Sequence, residues 1–203
     1  MTPNISANNS VNKEAPALSI TWQKVRGAVL FADLVNFFPI ARRMPLDDLG
    51  GFLQLLYSSW GNEVARRRGE IVDYLGDSVI AFYRCGGCGG ADPEWCATQT
   101  AFHLVKDLKK WREDLEINVA ISTGEVLEGR WEDVNQPGRV MRSMVGDVVN
   151  RTAVMASGRL KGIHTSRSVI EILGPRVAHE KVMIRFPGQP EDEAVFRLIA
   201  LKL

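Results

Sequence analysis

A single tight hairpin limits what this chain can fold into more than any other feature. In EIVDYLGDSVIAFY, Glu70 to Leu75 and Ser78 to Tyr83 are β-rich runs separated only by Gly-Asp, the pattern of two antiparallel strands joined by a short turn. Ahead of it, Leu46, Leu49, Phe52, Leu53, Leu56, Tyr57, Trp60 and Val64 recur at helical spacing. That helix stops at Arg66-Arg67-Arg68-Gly69, cations at the negative end of its dipole followed by a breaker. Beyond the hairpin, the loop CGGCGG leads to a second amphipathic helix over Glu94 to Trp111, with Pro93 near its start. Apolar runs at Val25 to Ala32 and Ile117 to Ser122 supply the first and last strands of this unit. The order strand, helix, two strands, helix, strand is the ferredoxin-like βαββαβ pattern of an α+β fold.

The rest of the chain decorates this core. Gly124 to Arg139 mixes charge, Pro and Gly and predicts an added arm or hairpin. Val149 to Ser157 predicts a short helix. Ile163, Ser166 to Leu173, Arg176 to Ile184 and Ala194 to Leu201 predict strand, helix, strand and strand. Residues 1–18, polar and rich in Asn and Ser, predict a loose tail ahead of one domain over 19–203. The tail lacks the basic start and apolar core of a signal peptide, and no apolar run nears the ~20 residues of a membrane span. Those features predict a cytoplasmic protein without stable membrane association. A formal charge of +1 gives no bulk drive toward nucleic acid.

The stretch FADLVNFF sets Asp33 inside an apolar run with no cation beside it. Burying a carboxylate is costly unless it is paired. The predicted topology brings Asp33, at the end of the first strand, near Asp77 in the hairpin turn. Either aspartate alone reads as a turn former or helix cap. Together they repel unless a cation lies between them, and an all-oxygen set suits Mg²⁺ or Mn²⁺. Directly after Asp33, the amides of Val35, Asn36, Phe37 and Phe38 are free if a helix begins there, which makes an anion site.

FADLVNF, YLGDSVIAFY, ISTGEV and VGDVVNRTAVMAS, in this order, resemble the class III nucleotidyl cyclase catalytic domain, from about Val25 to Leu173. The resemblance implies a homodimer with active sites shared between chains. It implies two divalent metal ions, Mn²⁺ or Mg²⁺, on Asp33 and Asp77 with the carbonyl of Leu34. The amides of Asn36, Phe37 and Phe38 would cradle the triphosphate. Asn150, from the second chain, would orient the ribose while its 3′-oxygen attacks the α-phosphate and pyrophosphate leaves.

Two departures from the family pattern are informative. The adenine-reading Lys of adenylate cyclases, four residues before the second metal aspartate, is here Asp73; the partner specificity position is Ser143. A carboxylate only accepts hydrogen bonds, so it suits a base that donates: uracil, cytosine or guanine. With its size and altered pocket, the chain is similar to the stand-alone pyrimidine cyclases of Pycsar antiphage defence. That similarity implies UTP first and CTP next as substrate, and a cyclic nucleotide passed to a downstream effector. A guanylate or adenylate cyclase of the same mechanism is the alternative. The family's transition-state Arg falls at Val154, leaving Arg151, Arg159 or Arg142 to compensate, or a catalytically dead binding module. Arg151 lies about 100° around the helix from Asn150.

Lesser signals read as structural. Cys85, Cys88, Cys96 and His103 carry an irregular zinc-like spacing, for which a glycine loop with incidental thiols is the simpler account. His164 and His179 lack partners at catalytic spacing, and the five Trp form no stacking stripe. Lys181 and Arg197 lie on late strands where the family often places a further phosphate contact.

Overall fold

The computed structural model describes residues 20–133, 136, 138–157 and 160–202. The tail expected over 1–18 and the candidate Arg159 lie outside them. The core elements are β1 (Thr21–Leu34), α1 (Phe37–Ala41), α2 (Leu46–Arg66), β2 (Glu70–Leu75), β3 (Ser78–Arg84), α3 (Pro93–Trp111) and β4 (Ile117–Glu132). β5 (Val140–Val145), α4 (Asp147–Ser157), β6 (Ile163–Thr165), α5 (Arg167–Leu173), β7 (Val177–Ile184) and β8 (Glu193–Leu201) follow. The strands form one 8-stranded sheet in the order β2-β3-β1-β4-β6-β8-β7, with β5 paired to β4 off this path. The α+β fold and its βαββαβ start are as the sequence predicts. No helix of the described residues is long and apolar enough to cross a membrane.

β1 is the axis. It pairs antiparallel with β3 on one side and with β4 on the other. Alternation along it separates two faces. Ala28, Leu30, Ala32 and Leu34 pack on the helical face with Leu56, Trp60 and Val64 of α2 and Ala97, Ala101 and Leu104 of α3. Val25 and Val29 pack on the other face with Phe82, Val126, Met144 and Val149. Phe31 joins Met155 and Ala156 of α4 there. Asp33 continues that second row. Each large side chain fully buried, such as Leu30 or Leu56, stabilises by about 1.5–3 kcal/mol. A one-residue slip of β1 would lift that row out of the core and turn Asp33 into it, so packing fixes the register.

The arm differs from the expectation in form. β4 runs unbroken from Ile117 to Glu132, and β5 pairs back along its far half from Leu127↔Val145 to Glu132↔Val140. The region continues the sheet because its alternation continues. Val126 packs into the second face, and Glu128, on the same side, is only 4% exposed among arginines.

Candidate active site

β1 ends at the site. Asp33 lies directly across from Ser78 of β3 and Asn118 of β4. The Ser78 hydroxyl donates to Asp33 Oδ1 at 2.6 Å. Asp77 occupies the β2–β3 turn, half-buried, with the Leu34 amide 3.4 Å from its backbone carbonyl. Burial pushes the Asp77 carboxyl up from its ordinary value, its own backbone amide pulls it down, and the Asp33 charge pushes it up again. Among the described residues, no ion pair reaches either aspartate. Two half-buried carboxylates that feel each other and have no cationic partner fit a divalent cation with oxygen ligands. The Leu34 side chain is 2% exposed in the core, which leaves its backbone as the part able to serve as a ligand.

The turn after β1 refines the expected phosphate cradle. The Val35 amide is not free, because it donates to the Glu116 carbonyl at 2.8 Å. Asn36 adopts a left-handed conformation (φ 53°) and caps α1. No backbone carbonyl among the described residues takes the amides of Asn36, Phe37 or Phe38 outside the helix. Phe37 is buried and stacks on Phe52 at 5.3 Å, which anchors the turn. Phe38 is exposed beside Arg42.

Asp73 is exposed on β2, across from Ile80, on the same face of the sheet as Ser78 and Asp33. Its Oδ1 accepts from the Tyr74 amide at 2.8 Å. Ser143 sits on β5 opposite Gly129 and alternates with buried Met144, so it faces the other way. Asn150 is exposed on the first turns of α4. Thus Asp33, Asp73, Asp77 and the α1 turn gather at one end of the sheet. Ser143, Asn150 and Arg151 belong to β5 and α4, and no hydrogen bond among the described residues joins the two groups.

The two described arginine candidates, Arg151 and Arg142, are engaged elsewhere within the chain. Arg151 lies over the Phe186 ring at 4.1 Å, hydrogen-bonds Glu193 and approaches Asp147 at 3.7 Å. Arg142 pairs with Glu128 at 2.7 Å and Glu70 at 2.8 Å. Burial works to raise the Glu128 carboxyl, but Arg84, Arg130 and Arg142 outweigh it and hold it below the usual range. Val154 packs against the cluster of Phe31, Met155 and Phe186.

One group among the described residues has ligand atoms close enough to share an ion: Glu63, His103 and Asp107, within 4.8 Å of one another. It lies on the helical face, away from Asp33. Its central carboxylate already holds Arg67 at 2.5 Å and Arg66 at 3.2 Å. Among the described residues, the thiols belong to no group of three or more ligand atoms within reach of one ion; burial and Cys96 push the Cys88 thiol up to about 12. His164 is 1% exposed, and burial, then Arg197, pushes its imidazole down to about 4. Sequence reasoning missed Ser78, whose place follows from the hairpin register, and the partners of Arg151, for which the sequence holds no signal.

The family model described as the adenylate and guanylate cyclase catalytic domain matches residues 22–193. An adenylate cyclase of Streptomyces coelicolor is 30% identical over 169 residues, covering 83% of this chain and 37% of the relative. One from Streptomyces griseus is 27% identical, covering 83% and 35%. The chain therefore spans about a third of the length of these relatives. Among solved structures, the adenylyl cyclase CyaB of P. aeruginosa superposes with a TM-score of 0.80 at 19% identity, covering 90% of this chain and 97% of that one. The guanylate cyclase domain of RhGC from Catenaria anguillulae, solved with GTP, gives 0.77 at 21% identity, covering 89% and 100%. A dimeric guanylyl cyclase domain from Blastocladiella emersonii gives 0.73 at 20%, covering 91% and 100%. Fold, motif order and family match agree: the chain belongs to the adenylate and guanylate cyclase catalytic domain family.

Proposed function

We propose that this chain is a metal-dependent nucleotidyl cyclase that converts a pyrimidine nucleoside triphosphate, UTP before CTP, to its 3′,5′-cyclic monophosphate. The observation that carries the cyclase reading is the carboxylate pair. Asp33 ends β1 beside the turn that carries Asp77, the second is disfavoured as an anion by burial and by the charge of the first, and no described cation pairs with either. Asp33, Asp77 and the Leu34 carbonyl would hold two divalent ions, which would supply charge stabilisation to nucleophile and leaving group. The chain's own parts do the rest. The amides of Asn36 to Phe38 hold the polyphosphate, Asp73 and Ser143 read the base, and Asn150 of a second copy holds the ribose. The bond from the 3′-oxygen to the α-phosphorus forms, the α–β bridge breaks, pyrophosphate leaves and the hydroxyl proton passes to solvent.

Base choice rests on Asp73. It is exposed, acceptor-only and on the face of the metal aspartates. Uracil offers N3–H to such a group and cytosine its amino group. Adenine loses its Lys contact, and an unmatched polar group in a base pocket discriminates strongly. In the cell the product acts as an antiphage messenger on a separate effector. The purine alternative has the named Streptomyces adenylate cyclases in its favour. A non-catalytic binding module is favoured by one observation: Val154 is packed in an apolar cluster and Arg151 is tied to Glu193.

The test is incubation with Mn²⁺ and each of ATP, GTP, CTP and UTP separately, with products identified by mass and chromatography. Cyclic UMP, with less cyclic CMP, is the expected result. Cyclic AMP would overturn the reading of Asp73, and cyclic GMP would keep Asp73 as an acceptor but overturn the choice of a pyrimidine. No product from folded protein would overturn the enzyme in favour of the binding module.

A further inference from the structure

Asp77 hangs on a tight turn, and a turn holds a carboxylate only as well as its own peptides are held. The β2–β3 pairing ends at Leu75↔Ser78, so Gly76 and Asp77 lie outside the ladder. Gly76 is left-handed at φ 62°, and a Cβ there would meet nothing within 4 Å. The turn therefore gains no packing on that side. Among the described residues, its one backbone hydrogen bond from β1 is the long contact of the Leu34 amide with the Asp77 carbonyl, 3.4 Å. The remaining restraint comes from α2: the Tyr57 hydroxyl donates to the Gly76 carbonyl. That carbonyl belongs to the peptide joined to Asp77.

Tyr57 is itself held at both ends. Its ring stacks on Tyr74 with centroids 4.3 Å apart and planes at 27°. The Tyr74 hydroxyl donates back to the Tyr57 carbonyl at 3.1 Å. Gly61, one turn on, lets this pair sit against α2, since a Cβ there would come within 2.9 Å of the Tyr74 hydroxyl. The pair bridges β2 and α2 and ends on the turn.

We propose that Tyr57 is a positioning residue for the metal ligand Asp77, fixing the Gly76–Asp77 peptide from α2 so that the carboxylate is presented to the cation in one geometry. The proposal rests on the reading of Asp33 and Asp77 as metal ligands. A group that orients a ligating carboxylate acts on metal affinity more than on the fold.

The experiment is Mn²⁺ titration of the full chain followed by electron paramagnetic resonance, for wild type, Tyr57→Phe and Asp77→Ala, with melting curves taken without metal. Tyr57→Phe keeps the ring and its stack and removes only the donor. The expected result is a roughly tenfold weaker Mn²⁺ affinity, with little change in the metal-free melting temperature. In turnover assays, the half-saturating Mn²⁺ concentration should rise by the same factor, while KM for the nucleotide at saturating metal stays put. Unchanged Mn²⁺ affinity in Tyr57→Phe overturns the proposal. So does a lower melting temperature with metal and nucleotide parameters worsened together, which marks a purely structural contact. If wild type and Asp77→Ala bind Mn²⁺ alike, the metal-site reading beneath it fails instead.

Discussion

Asp77 is where the cost of this site is concentrated. Its carboxyl is raised by burial and by Asp33, so the folded state binds that proton more readily than the unfolded chain. The sign of the linkage follows. The penalty is absent below the ordinary aspartate range and grows as pH rises through the raised folded value. It is fully present at neutral pH without metal. Asp77→Asn should therefore raise the metal-free melting temperature at pH 7, and the gain should shrink as the solution is acidified toward pH 4, read by calorimetry. With saturating Mn²⁺ the order should reverse, because only the wild type gains stability from the ion. Asp73 acts at the same scale on a different property. Asp73→Lys should cut turnover of the native nucleotide more than that of ATP, measured as the ratio of kcat/KM values. An unchanged ratio would remove Asp73 from the base pocket.

At the scale of elements, the site depends on a hairpin and a strand end held in one register. The hairpin was legible because Gly76-Asp77 interrupts two β-rich runs, and turn chemistry is local. The nearness of Asp33 to Asp77 was legible because βαββαβ topology leaves few ways to connect the strands. The long β4 was not, because the residue that continues its buried row is Glu128. A glutamate reads as surface until three arginines from β3, β4 and β5 are seen around it. Tyr57 counted only as one more apolar helix position, since its hydroxyl partner lies 19 residues away across the fold. The amide of Val35 was expected to be free and is spent on Glu116, a contact that exists only once β1 and β4 pair. The Glu128 network makes its own prediction. Glu128→Gln leaves Arg142, 18% exposed, facing a neutral group, and should destabilise the fold by about 2 kcal/mol, read by chemical denaturation at neutral pH. Its carboxyl is held low, so the difference should be full above the ordinary glutamate range and fade as pH falls below it.

At the scale of the whole molecule, the distribution of the candidate residues carries the argument. The metal aspartates, the phosphate turn and Asp73 gather at one end of the sheet, while Asn150 and its neighbours ride on α4 without a bond to them. On the proposed roles, a single chain would present two incomplete half-sites, and a symmetric dimer would complete each site with one half from each copy. The catalytic reading therefore stands or falls on two chains sharing one site. The measurement that tests it most directly is complementation. Asp33→Ala and Asn150→Ala chains, each without turnover alone, are mixed and the heterodimer is isolated by orthogonal tags. One of its two sites is then whole, so cyclic nucleotide formation should return to about half the wild-type rate per dimer. Verified heterodimers as inactive as either parent would contradict the claim that the site is built from two chains.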